Sequence, residues 1–135
     1  LDDLARSFPY LDFWIPSYEE GKVLTGKDDY KDMVKVFRDG GASQVVGIKL
    51  GSEGCYLTEP GAEYLIPSFK VDKVIDTTGA GDSFIAGLFA GLRKGLSLNE
   101  AGRFACMVGA TAVQALGASS GIKTYEETMK MFEGR

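Results

Sequence analysis

Apolar positions along the chain recur at two spacings, and the change between them divides the sequence into elements. Leu1, Leu4, Ala5 and Phe8 stand at helical spacing from the first residue. With no methionine in front, they read as the tail of a helix already under way and predict a portion of a longer protein. Leu11-Asp12-Phe13-Trp14-Ile15 is a short β-favouring run stopped by Pro16, which suits a buried strand ending in a loop. Tyr30, Met33, Val34 and Phe37 follow at i, i+3, i+4 and i+7, predicting an amphipathic helix over 28–37 that Gly40-Gly41 ends. The run 45–50 reads as a strand, and helix then strand at this distance is half of a parallel βαβ unit. Two further strands, 55–58 and 63–66, are separated by Glu59-Pro60-Gly61 and make a short antiparallel meander.

Beyond Pro67 the pattern becomes helical. Phe84, Leu88, Gly91 and Leu92 share a face, Gly87 and Gly91 would let that helix lie close against the sheet, and Gly95 ends it. Ser97 with Glu100 three residues on is a capping box for a helix running through Phe104, Met107, Val108, Thr111 and Ala112 toward Leu116-Gly117. The small residues of that helix, among them Ala101, Gly102, Ala105, Gly109 and Ala110, permit either tight helix packing or room for a flat ligand such as a base. A loop over 117–121 and a last amphipathic helix over 125–132 complete an α/β chain without repeats or linkers, read as one portion over 1–135.

Composition narrows the partners. Hydrophobic residues make up 44% of 135, enough for a packed core. The net charge of −4 gives no footprint for nucleic acid or an anionic membrane, so an anionic ligand must be held by local features. Cys55 and Cys106 have no metal-ligand spacing and the chain has no histidine, which points to two buried free thiols in a reducing, cytoplasmic setting. No apolar run approaches membrane-spanning length, and no basic-then-apolar leader opens the chain.

The candidate chemistry lies in Asp76-Thr77-Thr78-Gly79-Ala80-Gly81-Asp82-Ser83-Phe84, where two glycines lead into a helix. Glycine lets backbone N–H groups approach an anion, and a helix start adds unsatisfied donors and the positive end of its dipole. Asp82 would repel phosphate as a ligand but suits a base that takes a proton from an attacking hydroxyl. The stretch is not a dinucleotide fingerprint, since Phe84 stands where a third glycine belongs, nor a Walker A loop, since no Gly-Lys-Ser/Thr occurs. Its bland alternative is a glycine turn in which Asp82 only favours the dipole. Ser17-Tyr18-Glu19-Glu20 is open in the same way: a capping box, or an acid at the C-terminal end of a strand, where open α/β sheets hold ligands. Lys49 and the turn from Gly51 through Ser52 to Gly54 are either plain hairpin chemistry or donors lining a nucleotide.

Taken in order, these segments resemble the C-terminal half of the ribokinase-like (PfkB-type) carbohydrate kinases. The stretch 76–84 is similar to that family's C-terminal signature throughout, Pro16 to Glu20 to its Asn-x-x-Glu motif with Ser17 for the asparagine, 49–54 to its nucleotide-contacting turn, and Gly117-Ala118 to the turn after its last long helix. The resemblance implies a three-layer αβα fold with a mostly parallel sheet, incomplete here because the family's N-terminal half is absent. It implies ATP as phosphoryl donor, a small sugar or sugar acid as acceptor, Asp82 as base, and Gly79, Ala80 and Gly81 as anion hole. Ser17, Lys49, Gly51, Ser52, Gly54, Gly81, Cys106, Gly109 and Ala110 would border the nucleotide. Glu20 would help to hold Mg²⁺ through water, with Ser17 a shorter side chain than the family's. Asp76, Thr78, Ala112, Ala115, Gly117 and Gly121 fall where many members bind a monovalent cation such as K⁺. A homodimer is implied for the full-length protein, and this portion alone is expected to be inactive. Two alternatives keep much of the pattern: a nucleotide-binding or catalytically silent relative, and a kinase of the same fold acting on a nucleoside or vitamin precursor.

Overall fold

In the computed structural model, which describes residues 1–134, the chain forms two compact units, Leu1–Leu65 and Ile66–Arg135. Arg135, the last residue of the expected portion, lies outside the described residues.

The first unit begins with helix α1 (Asp2–Ala5) and a 3-10 turn (Phe8–Tyr10), then strand β1 (Phe13–Trp14). Both openings are shorter than the periodicity predicts. The Leu11 amide still donates to the Phe8 carbonyl, so the backbone leaves the turn only in time for two strand residues before Pro16. Helices α2 (Tyr18–Thr25) and α3 (Tyr30–Asp39) then cross over to strand β2 (Val45–Lys49), which lies parallel to β1 with Phe13 opposite Val45 and Trp14 opposite Val46. The expected βαβ connection is therefore present, with two helices in the crossover. Strand β3 (Cys55–Glu59) turns back antiparallel on β2, with Val46 opposite Thr58 and Lys49 opposite Cys55, and β4 (Ala62–Ile66) completes a mixed sheet in the order β1-β2-β3-β4.

Helix α3 buries Met33, Val34 and Phe37, the stripe its sequence spacing marks. They join Phe8, Ala42, Val46, Ile48 and Tyr56 in one core. The rings of Phe8, Trp14 and Phe37 meet with centroids 5.3 to 5.8 Å apart, and such aromatic clusters bury large area. Arg38, one turn on from Val34 at the edge of that stripe, donates to the carbonyls of Ala42, Ser43 and Gln44 and to the Thr58 hydroxyl. At Gly47 the strands approach so closely that a Cβ would stand 2.5 Å from the Tyr56 carbonyl oxygen.

The second unit is helical: α4 (Ala80–Arg93), α5 (Leu98–Ala112) and α6 (Tyr125–Glu133). The small residues serve the α4–α5 contact. A Cβ on Gly87 would stand 2.9 Å from Val108 Cγ2 and 3.1 Å from the Ala105 Cα, and one on Gly91 3.2 Å from the Ala101 Cα. The close approach these glycines permit is thus to α5, where the sequence reading has them facing the sheet. Helix α5 starts at its predicted Ser97–Glu100 capping box but stops at Ala112, short of Leu116. Its last carbonyls accept from the turn that follows, Thr111 from the Gln114 amide at 3.2 Å and Ala112 from that of Ala115 at 3.4 Å, and Gly121 approaches them so closely that a Cβ there would stand 2.5 Å from the Thr111 oxygen. Helix α6, capped by Thr124 and Glu127, packs Tyr125 and Phe132 against the Phe104 ring of α5 and buries Thr128.

Candidate functional site

The candidate residues fall on both units. In the second, Ile75 and Asp76 both donate their amides to the Val113 carbonyl, at 2.8 and 3.3 Å. The chain then turns through Thr77 and Thr78 into Gly79, whose φ of 76° puts it in the left-handed region that glycine enters without steric cost. Gly79 is the N-cap of α4 and supplies no side chain to cap it, so the first-turn amides must look elsewhere. Ala80 donates to the Thr77 carbonyl at 3.2 Å and Ser83 to that of Gly79 at 2.8 Å. The amides of Gly79, Gly81 and Asp82 donate to nothing among the described residues. Of the three expected anion-hole members, Ala80 is thus already engaged, and the amide of Asp82 itself joins the free donors. The Asp82 side chain is exposed at this helix start.

Asp76 and the loop after α5 back the turn. Asp76 accepts the Thr78 amide on one carboxylate oxygen and the Gly117 amide on the other, both at 2.9 Å. The hydroxyl and amide of Thr78, and then the Gly117 amide, hold its carboxyl below the ordinary carboxylate range. A Cβ on Gly79 would stand 2.7 Å from the Ala118 carbonyl oxygen and 2.8 Å from its Cβ, so Ala118 closes the back of the turn. Sequence reasoning missed the part played by Val113, which acts through its backbone carbonyl, and marked Ala118 only as part of the turn after the long helix, without its place behind Gly79. Of the three α5 residues expected near a base, Cys106 and Ala110 are 5% and 7% exposed, which leaves Gly109 with surface to offer. Ala115 and Gly117 are half-buried in the turns that follow α5.

In the first unit, the Ser17 hydroxyl accepts the Glu20 amide at 3.2 Å while the Ser17 amide donates to Glu20 Oε2 at 2.7 Å, a complete capping box. The local reading of this motif is therefore realised. The Ser17 amide first, and then the Ser17 hydroxyl, hydrogen-bond the carboxylate and hold the Glu20 carboxyl below its ordinary value, with Lys49 adding a smaller effect. Lys49 reaches this corner because its amide donates to the Pro16 carbonyl at 2.9 Å and Ser17 pairs with it as a parallel bridge. Glu20 also borders an apolar hollow of about 660 Å³ shared with Trp14, Ile15, Pro16 and Leu24. The Gly51–Glu53 segment is a 3-10 turn, with φ of 59° at Gly51 and 108° at Gly54. Ser52 is exposed on it.

Residues 1–125 match the model of the pfkB family carbohydrate kinases. The chain belongs to that family. It is 38% identical over 127 residues to the 2-dehydro-3-deoxygluconokinase of Bacillus subtilis, covering 94% of this chain and 38% of that protein. Among solved structures, ribokinase from Thermotoga maritima superposes with a TM-score of 0.86 at 32% identity, over 97% of this chain and 45% of that one. Aminoimidazole riboside kinase from Salmonella enterica, solved with aminoimidazole riboside and an ATP analogue, gives 0.84 and 32% over the same shares. The fold is accordingly the α/β, αβα fold of ribokinase-like kinases, present in part, and the chain spans less than half the length of these relatives.

Proposed function

We propose that this pfkB-family chain is the C-terminal, ATP-binding and catalytic portion of a kinase that phosphorylates a hydroxyl of a small sugar or sugar acid. The observation that carries the reading is the start of α4, where an exposed Asp82 carboxylate shares one helical turn with the unengaged amides of Gly79, Gly81 and Asp82. Asp82 takes the proton from the acceptor hydroxyl as its oxygen attacks the γ-phosphorus of ATP. The new O–P bond forms, the bond to the ADP oxygen breaks, and the backbone donors meet the charge on the transferring group.

Lys49 and the 51–54 turn contribute charge and glycine-edged donors toward nucleotide phosphates. Cys106, Gly109 and Ala110 lie on the helix assigned to the base. Glu20 fits Mg²⁺ as a single exposed carboxylate with one oxygen outside the capping box, which suits an ion that keeps most of its water. When bound, that ion neutralises phosphate charge. No group of three His, Cys, Asp or Glu able to hold a metal occurs among the described residues. A monovalent cation would be held chiefly by carbonyls, and the Thr111 and Ala112 oxygens that crowd Gly121 supply that chemistry together with Asp76. The likeness to a riboside kinase favours a second reading of the acceptor alone, a nucleoside.

The test is Asp82→Asn in the full-length protein. Loss of ATP-dependent phosphorylation by roughly 10²- to 10⁴-fold with ATP binding retained is expected for a general base, whereas near wild-type turnover overturns the reading. Screening sugars against nucleosides with the unmodified protein separates the two acceptors.

A further inference from the structure

Asp76 spends its carboxylate on two amides from distant parts of the chain. Thr78 is two residues away and Gly117 is 41 away, each bond measuring 2.9 Å. The same two strands of chain are joined once more where Ile75 and Asp76 donate to the Val113 carbonyl. Residues 75–78 are therefore stitched to 113–117 at both ends of a short stretch. The loop so fixed continues directly into Ala118, whose carbonyl oxygen lies 2.7 Å from the place a Gly79 Cβ would take. Gly117 has φ of 91°, a conformation held without help from any side chain of its own. Its neighbours Ser119 and Ser120 are exposed and donate no backbone amide to the described residues. Nothing else among the described residues ties the Gly117 amide.

We propose that Asp76 is a positioning residue: its two carboxylate oxygens latch the Gly117–Ala118 turn behind Gly79 and so fix the aim of the unengaged amides at the start of α4. The two amides meet different oxygens of one side chain, so the acceptor must carry two. A carboxylate satisfies both, and bonds to an ionised acceptor are roughly twice as strong as neutral ones. The consequence for catalysis rests on the kinase reading above. Donors aimed at charge that develops only in the transition state affect kcat far more than ground-state nucleotide binding.

Amide hydrogen exchange on the full-length, unliganded protein tests the latch without reference to activity. The Gly117 amide is expected to exchange at least about tenfold more slowly than those of Ser119 and Ser120; equal rates would overturn the proposal. In Asp76→Ala both acceptor oxygens are removed, so Gly117 loses its protection while amides of β2 and β3 keep theirs. Because a hydrogen bond to a charged group is being removed, kcat is expected to fall roughly 10- to 100-fold. KM for ATP should stay within about threefold. A rise in KM with kcat intact, or a protected Gly117 in the variant, counts against the latch. Should the variant not fold, the wild-type exchange rates decide alone. Should Asp82→Asn retain activity, the kinase reading fails while the exchange result still judges the latch.

Discussion

The two units use opposite means to the same end. In the first, large side chains do the joining: three aromatic rings fill the core, Arg38 reaches three carbonyls and a hydroxyl, and Tyr56 donates to Glu63, which also pairs with Lys31. In the second, what matters is the absence of side chains. Gly87 and Gly91 bring helices together, Gly79 and Gly121 bring loops onto carbonyls, and the candidate site is built mainly of backbone donors and acceptors. The first unit should therefore be sensitive to truncation and the second to addition.

The largest effect expected from addition is at the site. Gly79→Ala introduces a Cβ 2.7 Å from the Ala118 oxygen at a residue with positive φ. Displaced amides should lower kcat roughly 10²- to 10³-fold, the usual cost of losing an oxyanion donor. Steady-state kinetics on the full-length protein, with circular dichroism as a fold control, checks this; unchanged kcat would mean that the turn is slack. Next comes a deliberate exception to the contrast, Gly47→Ala in the first unit. Its Cβ would meet the Tyr56 carbonyl at 2.5 Å and Leu57 Cδ2 at 2.6 Å, and overpacking of this kind costs about 2–3 kcal/mol in denaturant unfolding. If the loss there is below about 0.5 kcal/mol, the sheet is looser than its register implies.

Truncation of a cap is milder. Ser17→Ala removes the hydroxyl that accepts the Glu20 amide and should cost about 1 kcal/mol, readable as a lower unfolding midpoint. The smallest effect is one of pH. Glu20, Glu100 and Glu127 sit in capping boxes that hold each carboxyl below its ordinary value of 4.5. A depressed folded-state value means that the stabilisation is complete above the unfolded value and lost as pH falls through the folded one. The thermal midpoint should then be flat above about pH 5 and decline below about 4.5. A midpoint that rises on acidification reverses the sign and removes the caps from the account.

Legibility in the sequence followed the same division. Elements stated by side chains were readable: the α3 stripe, the Ser17 and Ser97 caps with their glutamates, and the strand–turn–strand run. The stretch 76–84 was readable as a cradle because glycine spacing is itself a side-chain statement, by omission. What sequence could not convey was where backbone atoms are engaged. Nothing in the letters says that the Ala80 amide is committed to Thr77, that the chain leaves α5 at Ala112 in tight turns bonded to Thr111 and Ala112, or that Val113 anchors Ile75. The length of β1 was misjudged for a related reason, since Leu11 looks like a strand residue but remains bonded into the preceding turn.

The bond from Gly117 to Asp76 closes a loop of 41 residues, and that loop contains the whole α4–α5 hairpin. Contacts within the hairpin are nearer in sequence and cost less chain entropy to close. The backing of the cradle is thus expected to assemble after the helix pair and to open again at lower free energy than it. Refolding followed by pulsed exchange should show Gly87 and Ala105 protected before Gly117. On this order, the turn behind Gly79 is expected to open before the α4–α5 pair separates.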